Sequence, residues 1–527
     1  MSAPPEGHER RPGELNLREL GRWLWRQLTS MRTALILLLL LALAAVPGSI
    51  IPQKGVDALK TSNWQDQHPK LTPIYERLGL FAVYDSPWFS AIYLLLVISL
   101  VGCIVPRTWV YARAIRADPP AAPRNLSRLP DHASYDTDEP VDEVLARARV
   151  VLRAKGYRVR APSGAEDDAV SAERGYLREV GNLVFHLSVL VVLVGFAMGG
   201  LFGYKGGVIL VVGDTFANTL TQYDDFVPGK LFDAADLDPF SFVVDHFQVD
   251  WLKSGPRQGM ARGFDAQLRY KESPGAAEKS YDLRVNHPLT VGNTEVFLIG
   301  HGYAPVVTIR DGEGNIAFRG PTVFLPQDQS FLSFGVIKAP FAKPAQIGLE
   351  GLFYPTFINL NGDPVNVMGD LKNPKLSMLV YTGDLGLNDG SPQSVYVLNK
   401  AGTQQVKNDK GKPLRLDLSI GDKIKLPNGM GTVSFDDVVR WNRIQISQTP
   451  GKRIALGGVV LALIGLLGSL FIRPRRTWVR VRREGGVTLV EVAALDRSGG
   501  GDVSVVISNI VSALRGDPQK PGPEEKS

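Results

Sequence analysis

Four stretches of this chain stay apolar for about the length of a bilayer crossing, and they frame everything between them. They cover residues 31–47, 88–105, 180–202 and 454–472. A hydrocarbon core takes about 20 helical residues, so each run is read as a transmembrane helix. Pro47-Gly48 is expected to end the first. Pro87 and Pro106 are expected to bracket the second, because proline suits a helix start and breaks a helix further on. Gly457, Gly458, Gly465 and Gly468 in the fourth permit close helix contact.

The first run has a rival reading as a cleaved signal peptide, since its apolar core is short and Ala44 and Ala45 offer small residues near its end. What precedes it favours a retained anchor. Leu17, Leu20, Leu24 and Leu28 recur at helical spacing, with Trp23 and Trp25 among Arg18, Arg22 and Arg26, which suits a helix lying at a membrane surface. Residues 1–30 are therefore a tail plus an interfacial helix, with 1–16 disordered.

The remaining segments alternate or are polar. Residues 48–87 read as a loop with some helix. Residues 106–179 read as a small α/β region, with a helix over 141–155 and a strand after Gly156. Residues 203–453 read as strands, at 208–212, 242–249, 264–270, 295–299, 306–310, 376–381, 395–398 and 431–435, punctuated by Gly, Pro, Asn and Asp. One or two antiparallel, sandwich-like units are expected there. Residues 473–527 read as a tail that is disordered from Gly516. The fold class is an α-helical membrane protein with four transmembrane helices and a large extracytoplasmic all-β, sandwich-like domain.

Charge orients this picture. The formal net charge of +6 is modest and comes from arginines flanking the apolar runs, which makes nucleic acid a poor partner. Arginines cluster before the first run, after the second, before the third and after the fourth. The positive-inside rule then puts both termini and 106–179 in the cytoplasm, and 48–87 and 203–453 outside. Lys452 and Arg453 run against the rule but are outnumbered by the six arginines after the fourth run.

No HExxH, GxSxG, Walker A, GxGxxG or CxxC pattern occurs, so no catalytic residue is assigned. The single cysteine, Cys103, is read as a packing residue. His186 stands out as the one histidine inside an apolar run. It lies six residues in, roughly 9 Å along the helix from the cytoplasmic end. Asn182, four residues earlier, shares its face, and its amide could hold one ring nitrogen while the other binds a metal or haem iron. Two rival readings stay open: a polar contact between packed helices, and a proton relay, which lacks a second deep acid or base. His8, His132, His68, His246, His287 and His301 lie outside the runs. If His186 ligates haem, a second ligand must come from another protein or the site stays open on one side. His246, His287 and His301 are read as structural or surface residues, since no metal-type spacing links them.

Several motifs spread along the chain resemble the ResB (CcsB) family, which serves cytochrome c biogenesis in the type II system. They are Leu28-Thr29-Ser30-Met31-Arg32-Thr33-Ala34 followed by Gly48-Ser49-Ile50-Ile51-Pro52-Gln53, and then Gly181-Asn182-Leu183-Val184-Phe185-His186-Leu187-Ser188. Further on come Val285-Asn286-His287-Pro288-Leu289, Gly300-His301-Gly302-Tyr303-Ala304-Pro305 and Thr449-Pro450-Gly451, with Arg475-Arg476-Thr477-Trp478-Val479 last. The resemblance implies a multi-pass subunit of the bacterial plasma membrane that works with a ResC (CcsA) partner. The pair would export haem b and attach it to apocytochrome c, with thioredoxin-like proteins supplying the thiol reduction indirectly. It implies that His186 is an axial haem ligand, with Asn182 supporting it, in a non-catalytic subunit of the haem-lyase complex. The alternative is a membrane-anchored β-domain that binds apocytochrome or the partner and ligates no haem itself.

Overall fold

The computed structural model describes residues 16–56, 61, 64–65, 67–161, 168–387, 390, 393–496 and 503–516. The disorder expected at the two ends falls, save Asn16 and Gly516, outside these residues. Two compact units are present: Met1–Phe196 with Lys452–Ser527, and Ala197–Gly451.

The first unit carries the spanning helices. Helix α1 (Leu17–Leu28) opens on a capping box in which the Asn16 main-chain N–H donates to Glu19 Oε2 at 3.0 Å, satisfying an otherwise orphaned donor. Helix α2 (Met31–Ile50) starts at Ser30, whose Oγ accepts from the Thr33 N–H. It runs through Pro47 instead of ending there. A short helix, α3 (Thr72–Arg77), lies in the loop that follows. Helix α4 (Pro87–Arg116) likewise continues past Pro106. Each interior proline removes one hydrogen bond, but unwinding in hydrocarbon would strand several backbone groups. Four helices among the described residues are long and apolar enough to cross a membrane: α2, α4, α6 (Arg178–Phe202) and α7 (Lys452–Phe471).

Two contacts fix the helix arrangement. The α1–α2 corner rests on α4, where Ser99 Oγ donates to the Leu28 carbonyl at 2.6 Å and the Cys103 thiol donates to that of Thr29. Gly102 admits this corner, because a Cβ there would come within 2.1 Å of Thr29 Cγ2. On the other side, α6 and α7 meet through glycines. A Cβ on Gly181 would lie 2.6 Å from the Ser469 nitrogen, and one on Gly465 would lie 2.5 Å from the Phe185 nitrogen. Only hydrogen fits at such separations.

The small α/β domain departs from expectation. Its sheet runs Asp131–Thr137, Val487–Asp496, Arg475–Glu484, Ala169–Arg174, Arg158–Val159, all antiparallel. The two strands that follow α7 thus lie inside the sheet, where a loose tail was expected. Helices α5 (Val141–Ala154) and α8 (Val503–Arg515) cover it, burying Leu145, Leu152, Val479, Val490, Ile507 and Ile510.

The second unit is all β apart from the end of α6 and short 3₁₀ turns. Its spine is an antiparallel pair, Thr294–Arg310 with Thr432–Gln448, with register shifts at Leu298/Gly300 and Val306/Val307. The two strands expected at 295–299 and 306–310 are therefore one, with Ile299 and Asp436 as the extra residues at the two shifts. One end of the spine packs on a four-stranded sheet containing Ser241–Trp251 and Ala261–Lys271, around Phe216, Phe242, Leu268, Val296, Ile444 and Ile446. The other end packs on a six-stranded sheet containing Ile347–Tyr354 and Lys375–Asp384, around Val307, Ile309, Phe353, Met378, Val433 and Phe435. Two sandwiches share one spine. Residues 395–398, expected as a strand, form none.

The glycine contact gives a direct test. Gly465→Val should cost about 1–3 kcal/mol by overpacking, seen as a lower unfolding midpoint of the full chain in detergent. Gly457→Val should leave the midpoint unchanged, since a Cβ at Gly457 meets nothing within 4 Å. Equal effects would contradict the contact.

Candidate functional site

His186 lies in the first half of α6, half-buried. Its Nδ1 is 2.8 Å from the main-chain carbonyl of Asn182. A carbonyl only accepts, so Nδ1 carries a proton, and the tautomer that this bond selects has its lone pair on Nε2. The residue-based expectation placed the Asn182 amide here. The bond goes to the backbone oxygen instead, because an i−4 carbonyl already points along the helix toward the ring. Nε2 has no hydrogen-bond partner among the described residues. The Phe185 ring stands edge-on to the imidazole, centroids 5.3 Å apart.

The direction of the ring follows from helix geometry. Gly181, Phe185, Ser188 and Val192 form the stripe of α6 that meets α7, as the approaches at Gly181, Gly458 and Gly465 record. His186 is five residues after Gly181, about 140° round the helix at 100° per residue. It points away from α7 and makes no polar bridge between these two helices.

A cavity of about 220 Å³ opens where α6 begins, lined by Tyr111, Arg158, Arg174, Tyr176, Glu179 and Arg475 among others. The Arg158 guanidinium sits over the Tyr176 ring at 4.5 Å and pairs with Glu173. Glu179 precedes His186 by seven residues and so shares its face. Of the described residues, no group of three or more His, Cys, Asp or Glu could hold a metal ion, so any iron bound at His186 would need coordination from elsewhere.

The other histidines separate into two kinds. His68 and His132 bond through Nδ1 to the Trp64 and Leu129 carbonyls, and His246 and His287 are exposed. His301 is different. It is 8% exposed, yet neither ring nitrogen has a hydrogen-bond partner among the described residues. Its cross-strand partner Asn442 is fully buried with both amide atoms also unpartnered. The sequence patterns alone single out none of Asn442, Arg440 and Trp251. The usable signal was a histidine and an asparagine in segments that otherwise alternate as strands. Burial first, then the Arg440 charge, push the His301 imidazole down to about 4 from its usual 6.5.

The family model described as ResB-like matches residues 31–504. A cytochrome c biogenesis protein CcsB from Synechococcus sp. (strain JA-2-3B'a(2-13)) is 25% identical over 451 residues, 84% of this chain and 83% of that protein. The CcsB of Synechococcus sp. (strain CC9902) is 26% identical over 399 residues, covering 73% and 84%. That of Prochlorococcus marinus (strain MIT 9303) is 26% identical over 423 residues, covering 79% and 88%.

The state of His301 predicts a pH dependence. The unfolded chain takes up this proton near 6.5, and the folded chain refuses it until about 4. Stability from this group is therefore full above about pH 6.5 and lost as pH falls toward 4, by roughly 3 kcal/mol. Thermal unfolding of the full chain across that window should show the slope, and His301→Gln should flatten it. An unchanged slope in the variant would contradict the buried neutral ring.

Proposed function

The chain belongs to the ResB-like family, and on that premise we propose that it is the haem-handling membrane subunit of a cytochrome c assembly complex. A role in cytochrome c biogenesis is what its relatives' names carry. The finer reading rests on one observation, the free Nε2 of His186 on a helix face turned away from α7. Haem b bound there would bring an iron that needs axial nitrogen ligands. The chain's part is to offer a neutral imidazole already held in one tautomer. The Nδ1–H bond to the Asn182 carbonyl fixes the ring and makes Nε2 more basic.

The residues near the start of α6 fit the other end of such a cargo. Seven residues at 1.5 Å put Glu179, and the cavity it lines, about 10 Å from His186 along the helix. That is within reach of a porphyrin's propionates, for which the cavity offers Arg158, Arg174 and Arg475. With the termini in the cytoplasm, this end faces the compartment that makes haem, and the β-domain lies outside with apocytochrome c. The second axial ligand comes from a ResC/CcsA-type partner, and thioredoxin-like proteins keep the client thiols reduced. The chain acts as a positioning subunit without catalytic residues of its own.

The test is the absorption spectrum of the chain purified with its partner. His186→Ala should remove most of the bound haem and change its ligation bands. Asn182→Ala should leave both intact, because Asn182 contributes its backbone. If His186→Ala leaves haem content, spectrum and cytochrome c maturation unchanged, the ligand role is wrong.

A further inference from the structure

The middle of the β-domain spine, where one sandwich core ends and the other begins, holds an unusual set of side chains. His301 faces Asn442 across the pair, and Tyr303 faces Arg440 one step along the same side. Six buried polar atoms here have no hydrogen-bond partner among the described residues: two on His301, two on Asn442, and one each on Arg440 and Trp251. Buried polar groups are almost always paired, so a cluster of this kind points to something the site is built to receive. The Arg440 guanidinium lies over the Tyr303 ring at 5.2 Å and pairs with no carboxylate among the described residues.

Aromatic rings close the site. Phe331 stacks on His301 with centroids 4.6 Å apart and planes 22° from parallel, while Phe247 and Phe264 flank it at 5.3 and 5.0 Å. Phe331 holds a left-handed backbone, φ +63°, a conformation a bulky side chain rarely adopts. Behind it lies a cleft of about 690 Å³, lined by Trp251, Lys253, Met368, Asp370 and Lys372 among others. Trp251 meets the Phe331 ring edge-on at 6.0 Å. A Cβ on Gly369 would come within 2.6 Å of both Phe331 and Trp251. Phe331 thus stacks on the imidazole and also meets Trp251, which lines the cleft.

We propose that this seam is a second site for an iron porphyrin, with His301 as iron ligand and Phe331 as the side chain that yields to it. The inference rests on the haem-handling reading above. The cleft is of ligand size, since binding pockets run about 300–1,000 Å³. A flat apolar macrocycle suits Trp251 and the phenylalanines, its carboxylates suit Arg440, Lys253 and Lys372, and its iron suits a neutral imidazole. Ligation forms one nitrogen–iron bond from the ring lone pair and displaces an iron-bound water. No proton or electron changes hands.

The experiment uses the full chain in nanodiscs, with His186→Ala removing the first site, titrated with ferric haem. Absorption and tryptophan fluorescence are followed against empty nanodiscs. One haem per chain should bind. Adding His301→Ala should abolish the ligation bands, and His301→Gln should do the same if the alanine chain fails to fold. Arg440→Met should weaken binding about tenfold or more, as expected for losing a charged hydrogen bond. Phe331→Gly should tighten binding and speed it, since it frees the imidazole and relieves the backbone, whereas a packing role predicts the reverse. The proposal falls if no haem binds beyond the nanodisc background, as when the seam holds only internal water. It also falls if the His301 variants keep the bands or Phe331→Gly weakens binding. The His186 reading is judged on the chain with His301→Ala and native His186, so each can fail alone.

Discussion

Hydrocarbon offers no hydrogen bonds, and that single constraint shapes the spanning part of this protein. It keeps α2 and α4 helical through Pro47 and Pro106. It sends the Ser99 hydroxyl and Cys103 thiol to the Leu28 and Thr29 carbonyls, and the Ser188 hydroxyl back to that of Phe185. It also turns the Nδ1–H of His186 to the Asn182 carbonyl. Against this thrift, the unpartnered Nε2 of His186 is an exception, and an intramembrane ionisable group without a partner is where function is to be sought first.

The same constraint acts inside the cores of the β-domain. Most of its buried polar atoms are paired, as at Asn218, which bonds Tyr204, Tyr223 and the Asp238 carbonyl. The seam around His301 and Asn442 breaks the rule at the point where the two cores adjoin. Two histidines thus share one feature, a ring nitrogen with no hydrogen-bond partner among the described residues. One faces lipid or a partner, and the other faces a cap of phenylalanines.

Much of this was legible in the sequence. The four apolar runs, the helix Leu17–Leu28 and the sandwich pattern depend on local periodicity, which a sequence carries directly. What was misread depends on context. Pro47 and Pro106 are breakers in water and are tolerated in a membrane. Arg476, Arg480 and Arg482 counted as part of a positive flank, yet they alternate with Thr477, Val479 and Val481 along a strand, and Gly485-Gly486 makes its hairpin turn. Arg480 is 5% exposed and donates to the Pro123 and Arg124 carbonyls. The charge of these arginines was read, and their place in the sheet was not. At the candidate site, residue identity was readable, but which oxygen of Asn182 meets the ring was not. His301 looked ordinary because its lack of partners exists only in three dimensions.

The central claim is that His186 Nε2 binds the iron of haem in the assembled complex. Membership in the ResB-like family gives the context, and the fixed tautomer gives the chemistry. The most direct measurement labels the histidines of this chain alone with ¹⁵N, assembles it with unlabelled partner, and records the nitrogen hyperfine spectrum of the ferric complex. With His301→Ala in place, a ¹⁵N coupling to iron is predicted, and it should vanish with His186→Ala. Couplings from ¹⁴N only, with haem bound, would mean that both axial ligands belong to the partner and would contradict the account.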